Sequence, residues 1–175
     1  MELVTPRLKL RRAQPGDLAA FNEIMSDRAA MRFWSTAPHR NVDQTRTWLD
    51  EMIADGPPQS DDFVIEYEGR AIGKAGAWRL PEVGFILHPT YWGRGFASEA
   101  LGAVIAHLFA TYEIDAITAE ADPRNEPSLG LLRRFGFAET GRASATFEID
   151  GEISDSVYLA LPRAAFRALC GIQAT

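Results

Sequence analysis

The chain has 175 residues, 46% of them apolar and 10% aromatic, with a formal net charge of −6. That length and apolar share exclude a disordered chain and suit a single domain over 1–175, its motif-bearing core about 7–165. The acidic balance argues against non-specific nucleic-acid binding, and no apolar run approaches the ~20 residues needed to span a bilayer.

Met1 to Pro6 lack the basic and apolar regions of a signal peptide, so the expected location is cytoplasmic, with neither a membrane nor a nucleic acid as partner. Arg7 to Arg12 alternate apolar and basic residues, which predicts a first strand. Pro15-Gly16-Asp17 opens a helix with Leu18, Phe21, Ile24 and Met25 at helical spacing. Asn41 and Gln44 form a capping pair for a second helix, whose apolar face is Trp48, Leu49, Met52 and Ile53, and Gly56-Pro57-Pro58 stops it. Strands are predicted over 62–67 and 70–78, flanking the turn signal Glu68-Gly69, and over 82–87 after a bend at Pro81.

A glycine-containing loop follows, His88-Pro-Thr-Tyr-Trp-Gly-Arg-Gly-Phe-Ala-Ser98, and a long helix leaves it with Ala97, Leu101, Val104, Ile105, Leu108, Phe109 and Tyr112 on one face. A short strand covers 116–121. Asn125-Glu-Pro-Ser128 starts another helix, with Leu129, Leu132 and Phe135 apolar and Gly136 as its cap. The last strands cover 138–149 and 156–161, joined around Asp150-Gly151, and an amphipathic segment runs from Pro162 to Cys170. Cys170 is the one cysteine, so an intramolecular disulfide is excluded, which fits a reducing compartment. Three scattered histidines and that cysteine supply no metal-ligand spacing, and no metal is expected. The order β-α-α-β-β-β-α-β-α-β-β predicts an α/β class fold, with a mixed α+β sheet and helices on both faces. Ligands of such sheets bind where neighbouring strands diverge, here beyond the strand that ends at Leu87.

A glycine loop that opens a helix presents unpaired N–H groups at the positive end of the helix dipole, which suits a phosphate or pyrophosphate. A Walker-type loop fails, because Gly73-Lys74 is followed by Ala75 and Gly95 by Phe96. A dinucleotide loop would open a β-α-β unit, whereas an antiparallel meander precedes this one. A plain tight turn is the third reading, and it weakens because Asn125-x-x-Ser128 and Leu131-Leu-Arg-Arg-Phe-Gly-Phe137 follow downstream.

With those motifs in this order, the chain resembles the GNAT superfamily of acyl-CoA-dependent N-acetyltransferases, in particular the ribosomal-protein and N-terminal alanine acetyltransferase branch. The opening Thr5-Pro-Arg-Leu8, the strand Glu82-Val-Gly-Phe85 and the late Asp150-Gly151…Asp155-Ser-x-Tyr158 hairpin extend the likeness over nearly the whole chain. The resemblance implies a GNAT-like acyl-CoA N-acyltransferase fold, with a central, mostly antiparallel sheet and a strand splay at the cofactor. It implies acetyl-CoA as cofactor, its pyrophosphate held by the amides of Gly93, Arg94, Gly95, Phe96, Ala97 and Ser98. It places the pantetheine arm along Phe85, Ile86 and Leu87, with Asn125 and Ser128 on its other side. Arg94, Arg124, Arg133 and Arg134 are the cations available to phosphate; Arg133 and Arg134 also read as a solvated helix end.

Acetyl transfer needs a neutral amine, and deprotonation at pH 7 costs roughly 4.6 kcal/mol for an alkyl ammonium against ~1.4 for a chain N-terminus. Glu82 is the candidate base, acting through water, or else a hydrated carboxylate beside Arg79. Glu99 reads as a dipole-complementing residue of the first helical turn, and His88 as a strand-end residue. Relatives place a proton-donating tyrosine where this chain has Leu132, so Ser128 takes that role or only binds the pantetheine arm. Trp34, Trp78 and Asp155 are candidate acceptor-binding residues, with His39 nearby. The expected activity is direct acetyl transfer to a small-molecule amine or a protein N-terminus, with a homodimer open; the alternative is a non-catalytic acyl-CoA-binding or sensor module.

Overall fold

The computed structural model describes residues 1–169, and Cys170 lies outside them. Strands β1 (Glu2–Val4) and β2 (Lys9–Arg11) lead into helices α1 (Leu18–Met25) and α2 (Val42–Ala54). The meander β3 (Asp61–Tyr67), β4 (Arg70–Arg79) and β5 (Glu82–Leu87) comes next, and then α3 (Phe96–Thr111), β6 (Ala116–Ala121) and α4 (Glu126–Arg134). A hairpin of β7 (Ala138–Ile149) and β8 (Glu152–Pro162) precedes α5 (Arg163–Leu169). The eight strands form one sheet in the order β1-β2-β3-β4-β5-β6-β8-β7. Every pairing is antiparallel except β5 with β6.

Local chemistry explains the element ends. Asn41 accepts the Gln44 amide at 3.0 Å and Asn125 accepts the Ser128 amide at 3.3 Å, so each satisfies a free N–H of its helix start. The two tight hairpins turn through residues with both φ angles positive, 50° and 77° at Glu68-Gly69 and 51° and 81° at Asp150-Gly151. The second turn is only two residues long, so pairing resumes at once with Ile149 opposite Glu152. That is why β8 begins at Glu152 rather than at Ser156. β1 has no counterpart in the sequence reading, since three residues are too few to show alternation.

Alternation along the central strands builds a core on each sheet face. Phe63 and Ile65 of β3, with Val83 and Leu87 of β5, pack in one cluster with α3 and with Leu129 and Leu132 of α4. Val64 and Ile86 pack in the other, with Phe21, Ile24 and Met25 of α1 and Leu49 of α2. The sheet is therefore covered on both faces, as the chain order predicts.

Two irregularities interrupt the sheet. β5 and β6 pair only at Glu82 opposite Thr118, so they part immediately and leave the β6-facing edge of β5 open. In β7 the register slips between Ala143, opposite Ser156, and Phe147, opposite Ser154. Extra residues there form a bulge in which Ala145 takes φ 55°.

Candidate active site

The splay of β5 from β6 opens into a cleft of about 680 Å³, a size that suits a small-molecule site. Trp34, Trp78, Glu82, Phe85, Asn125 and Ser128, all anticipated from sequence, line it together. Three come from the sheet, two from the start of α4 and one from the connection between α1 and α2. Glu82 sits where the strands part; it accepts from Trp78 Nε1 at 3.2 Å and lies 3.5 Å from Arg79 Nη2. Ser128 is half-buried in the first turn of α4, and Leu132, one turn on, presents an aliphatic wall to the cleft.

The glycine loop lies beyond the other end of β5. Gly93 (φ 69°) and Gly95 (φ 80°) are both left-handed, and Gly95 is the residue before α3. Among the described residues, the N–H groups of Gly93, Arg94, Gly95, Phe96, Ala97 and Ser98 donate to no protein acceptor. Six unspent amides at a helix start fit a diphosphate. The Arg94 guanidinium has no carboxylate partner among the described residues and stacks 4.8 Å from the Phe96 ring centroid, also against Tyr67 and Tyr91. Arg124, by contrast, is tied to Asp122 and Glu152, and Arg133 lies 3.7 Å from Glu126.

The chain start holds this loop. Glu99, in the first turn of α3, accepts from Thr5 Oγ1 (2.6 Å), the Arg7 amide (2.8 Å) and Arg7 Nε (2.7 Å). Arg7 Nη1 also donates to the Arg94 carbonyl at 2.9 Å. Burial works to raise the Glu99 carboxyl, but the Thr5 hydroxyl and the Arg7 amide and guanidinium outweigh it and hold the group below its ordinary value. Glu99 is thus more than a complement to the helix dipole.

Several sequence candidates fall elsewhere. Asp155 is not among the cleft residues; its carboxylate accepts the Ala145 amide at 2.9 Å and pins the β7 bulge. Ile86 and Leu87 are buried in the two opposite cores, so along that edge only their backbone faces the splay; the Leu87 carbonyl already accepts from Trp92 Nε1 at 2.9 Å. His39 pairs with Thr45 at 2.9 Å outside the cleft. His88 accepts the Thr90 amide at 3.2 Å, a strand-end role.

Lys74 and Glu120 line the cleft too, and neither is among the site residues expected from sequence. Lys74 pairs with Asp62 and lies under the Trp34 and Trp48 rings. Glu120 accepts from the Ser156 hydroxyl. Glu120 is the lone charge of β6, and Lys74 sits mid-strand among small and apolar residues with the other charges of β4, Arg70 and Arg79, at its ends; a charge inside such a strand is the signal that would have found each. Among the described residues no group of His, Cys, Asp and Glu side chains is arranged to hold a metal ion, and no helix is long and apolar enough to cross a membrane.

The family model for the acetyltransferase (GNAT) domain matches residues 7–138. The chain belongs to the GNAT acetyltransferase family, whose members use acetyl-CoA. It is 24% identical over 163 residues to the spermidine N(1)-acetyltransferase of Escherichia coli strain K12, covering 88% of this chain and 85% of that protein. It is 35% identical over 86 residues to the [ribosomal protein uS5]-alanine N-acetyltransferase of the same organism, covering 49% and 44% of the two chains. The crystal structure of a GNAT-family acetyltransferase from Bacillus anthracis superposes with a TM-score of 0.80 at 22% identity, covering 93% of this chain and 98% of that one. The protein is an acetyltransferase with the fold that the motifs imply.

Proposed function

We propose that this enzyme acetylates a primary amine by direct attack while amine and acetyl-CoA are bound together. The observation that carries the reading is the continuity of β5, which runs from the loop of free amides at one end to the cleft of Glu82 and Ser128 at the other. The amides of Gly93 to Ser98, with Arg94 beside them, would hold the pyrophosphate, and the backbone of Phe85, Ile86 and Leu87 on the open edge of β5, with Asn125 and Ser128 of α4 opposite, would hold the pantetheine arm. When bound, the cofactor supplies a thioester at the cleft.

The chain's own residues then divide the work. Glu82 orients a water against the amine nitrogen. Ser128 holds the arm and has a hydroxyl proton to offer a leaving thiolate, in a cleft where Leu132 offers none. Trp34 and Trp78 wall the acceptor, and a ring face suits a cationic amine. The acceptors that the relatives' names give, spermidine and an alanine of ribosomal protein uS5, both offer an amine. Thiol release from acetyl-CoA across a panel of both kinds of amine tests the reading. Glu82→Gln is expected to lower kcat about tenfold or more, with the acetyl-CoA Kd within about twofold. Unchanged turnover in that variant removes Glu82 from the chemistry; no thiol release by the unaltered enzyme with any amine removes the acceptor class.

A further inference from the structure

We propose that Glu120 receives the proton of the acceptor ammonium, with Ser156 and Thr146 as its positioning residues. The proposal rests on the amine-acetylation reading of the cleft and names the group that makes the amine nucleophilic.

The pairing of charges in the cleft singles Glu120 out. Glu82, Glu120, Asp122, Asp150 and Glu152 all line it. Glu82 is paired with Arg79, Asp122 and Glu152 share Arg124, and Asp150 lies near Arg40. Among the described residues Glu120 has no basic partner. An ammonium entering the cleft meets there the carboxylate whose charge is not already answered.

The hydrogen bonds around Glu120 suit a group that must change protonation state. Glu120 Oε1 lies 2.5 Å from the hydroxyl of Ser156, a residue only 1% exposed. That hydroxyl lies 2.5 Å from Thr146 Oγ1, which is 3.2 Å from the Ser154 carbonyl. With Glu120 ionised, Thr146 donates to Ser156 and Ser156 donates to the carboxylate. With Glu120 protonated, every hydroxyl turns: Glu120 donates to Ser156, Ser156 to Thr146, and Thr146 to the Ser154 carbonyl. Neither state strands a buried donor, so neither carries the cost of an unmade hydrogen bond. A carboxylate held by amides or an arginine has no such second arrangement, because those donors cannot turn into acceptors. The β7 bulge is what brings Thr146 onto Ser156, and Asp155 fixes it through the Ala145 amide.

The step balances simply. One N–H bond of the ammonium breaks, its electron pair stays on nitrogen as the attacking lone pair, and the proton ends on a Glu120 oxygen. It then leaves to solvent through the open cleft. The titratable and charged groups nearest in the sheet are Glu82 on β5 with Arg79 beyond it and Tyr158 opposite on β8; the cleft wall adds the Asp122–Arg124–Glu152 cluster, Lys74 with its partner Asp62, Asp150, and the cations Arg28 and Arg32.

The test is the pH dependence of kcat/KM for the unaltered enzyme and for Glu120→Gln, Ser156→Ala, Thr146→Val and Thr146→Ser. Spermidine and an alanine-leading peptide serve as probe acceptors within a wider panel of primary amines. Glu120→Gln is expected to lose about a hundredfold in kcat and the acid limb with it, while acetyl-CoA binding measured by calorimetry holds. Ser156→Ala takes a donor from the ionised form, so the acid limb moves up by about one pH unit. Thr146→Val leaves the protonated form with a stranded Ser156 donor, so the limb moves down by about as much. Thr146→Ser restores it. Thr146 is half-buried, so its variants keep the test alive if Ser156→Ala fails to fold. An acid limb that stays put in Thr146→Val, or a Glu120→Gln enzyme within about threefold of full kcat, overturns this proposal while acetyl transfer stands. An unaltered enzyme that releases no thiol with any amine overturns the reading beneath it as well.

Discussion

The carboxylate of Glu99 and the guanidinium of Arg7 meet at 2.7 Å across 92 residues of sequence. With the Thr5 hydroxyl and the Arg7 amide on the same carboxylate, this contact ties the chain start to the helix that the glycine loop opens.

Glu99→Ala is therefore expected to cost about 1–2 kcal/mol, less than three charged hydrogen bonds would suggest because Arg7 is partly exposed and screened. The folded Glu99 carboxyl sits below its ordinary 4.5. Its stabilisation is fully present above that value and is lost as pH falls through the depressed folded value, where the unfolded chain binds the proton first. Urea denaturation at neutral pH and below pH 4.5 checks this: the unaltered protein should lose more stability on acidification than Glu99→Gln. Equal losses would mean that the contact contributes nothing.

Gly95→Ala probes the loop itself. At φ 80° a side chain is strained, and the new Cβ would stand 3.3 Å from Arg7 Nη2. Acetyl-CoA affinity should fall at least about tenfold as the amides turn away. Arg94→Ala should cost less, about threefold to tenfold, and the loss should shrink at high salt because that cation is exposed. Calorimetry at two salt concentrations separates them, and unaltered affinity in Gly95→Ala would place the diphosphate elsewhere.

Asp61 offers a third measurement. It is 1% exposed and accepts from Tyr112 Oη at 2.7 Å, His107 Nε2 at 2.8 Å and Arg12 Nη2 at 2.5 Å. Burial and the Asp61 hydrogen bond push the Tyr112 hydroxyl up to about 12. Asp61→Asn should cost about 2–3 kcal/mol and roughly 5–10 °C in Tm. In alkaline absorbance titration the late phenol of the four tyrosines should move back toward the ordinary range. A late step that persists in Asp61→Asn would assign it to burial alone.

The elements that could be read from sequence are those announced by local chemistry. Asn41, Asn125 and the two hairpin turns mark their own boundaries, because caps and positive-φ turns depend on a few adjacent residues. The glycine loop was legible for the same reason. Glu120 and Lys74 were not, since strand alternation says that a side chain faces one side of a sheet but not what is built there. Asp155 misled because a carboxylate on a late hairpin looks available, and only tertiary structure shows it spent on the Ala145 amide. The Thr5-Pro-Arg motif was visible without its reason, which is a partner 92 residues away.

The bulge in β7 gives the molecule a division of labour. The residues that turn Phe147, Ile149 and Ser154 toward the cleft lie in one hairpin, while the free amides of the glycine loop lie in another segment of chain. Selection acting on the stretch from Ala143 to Asp155 can reshape one wall of the cleft and leave the glycine loop as it was.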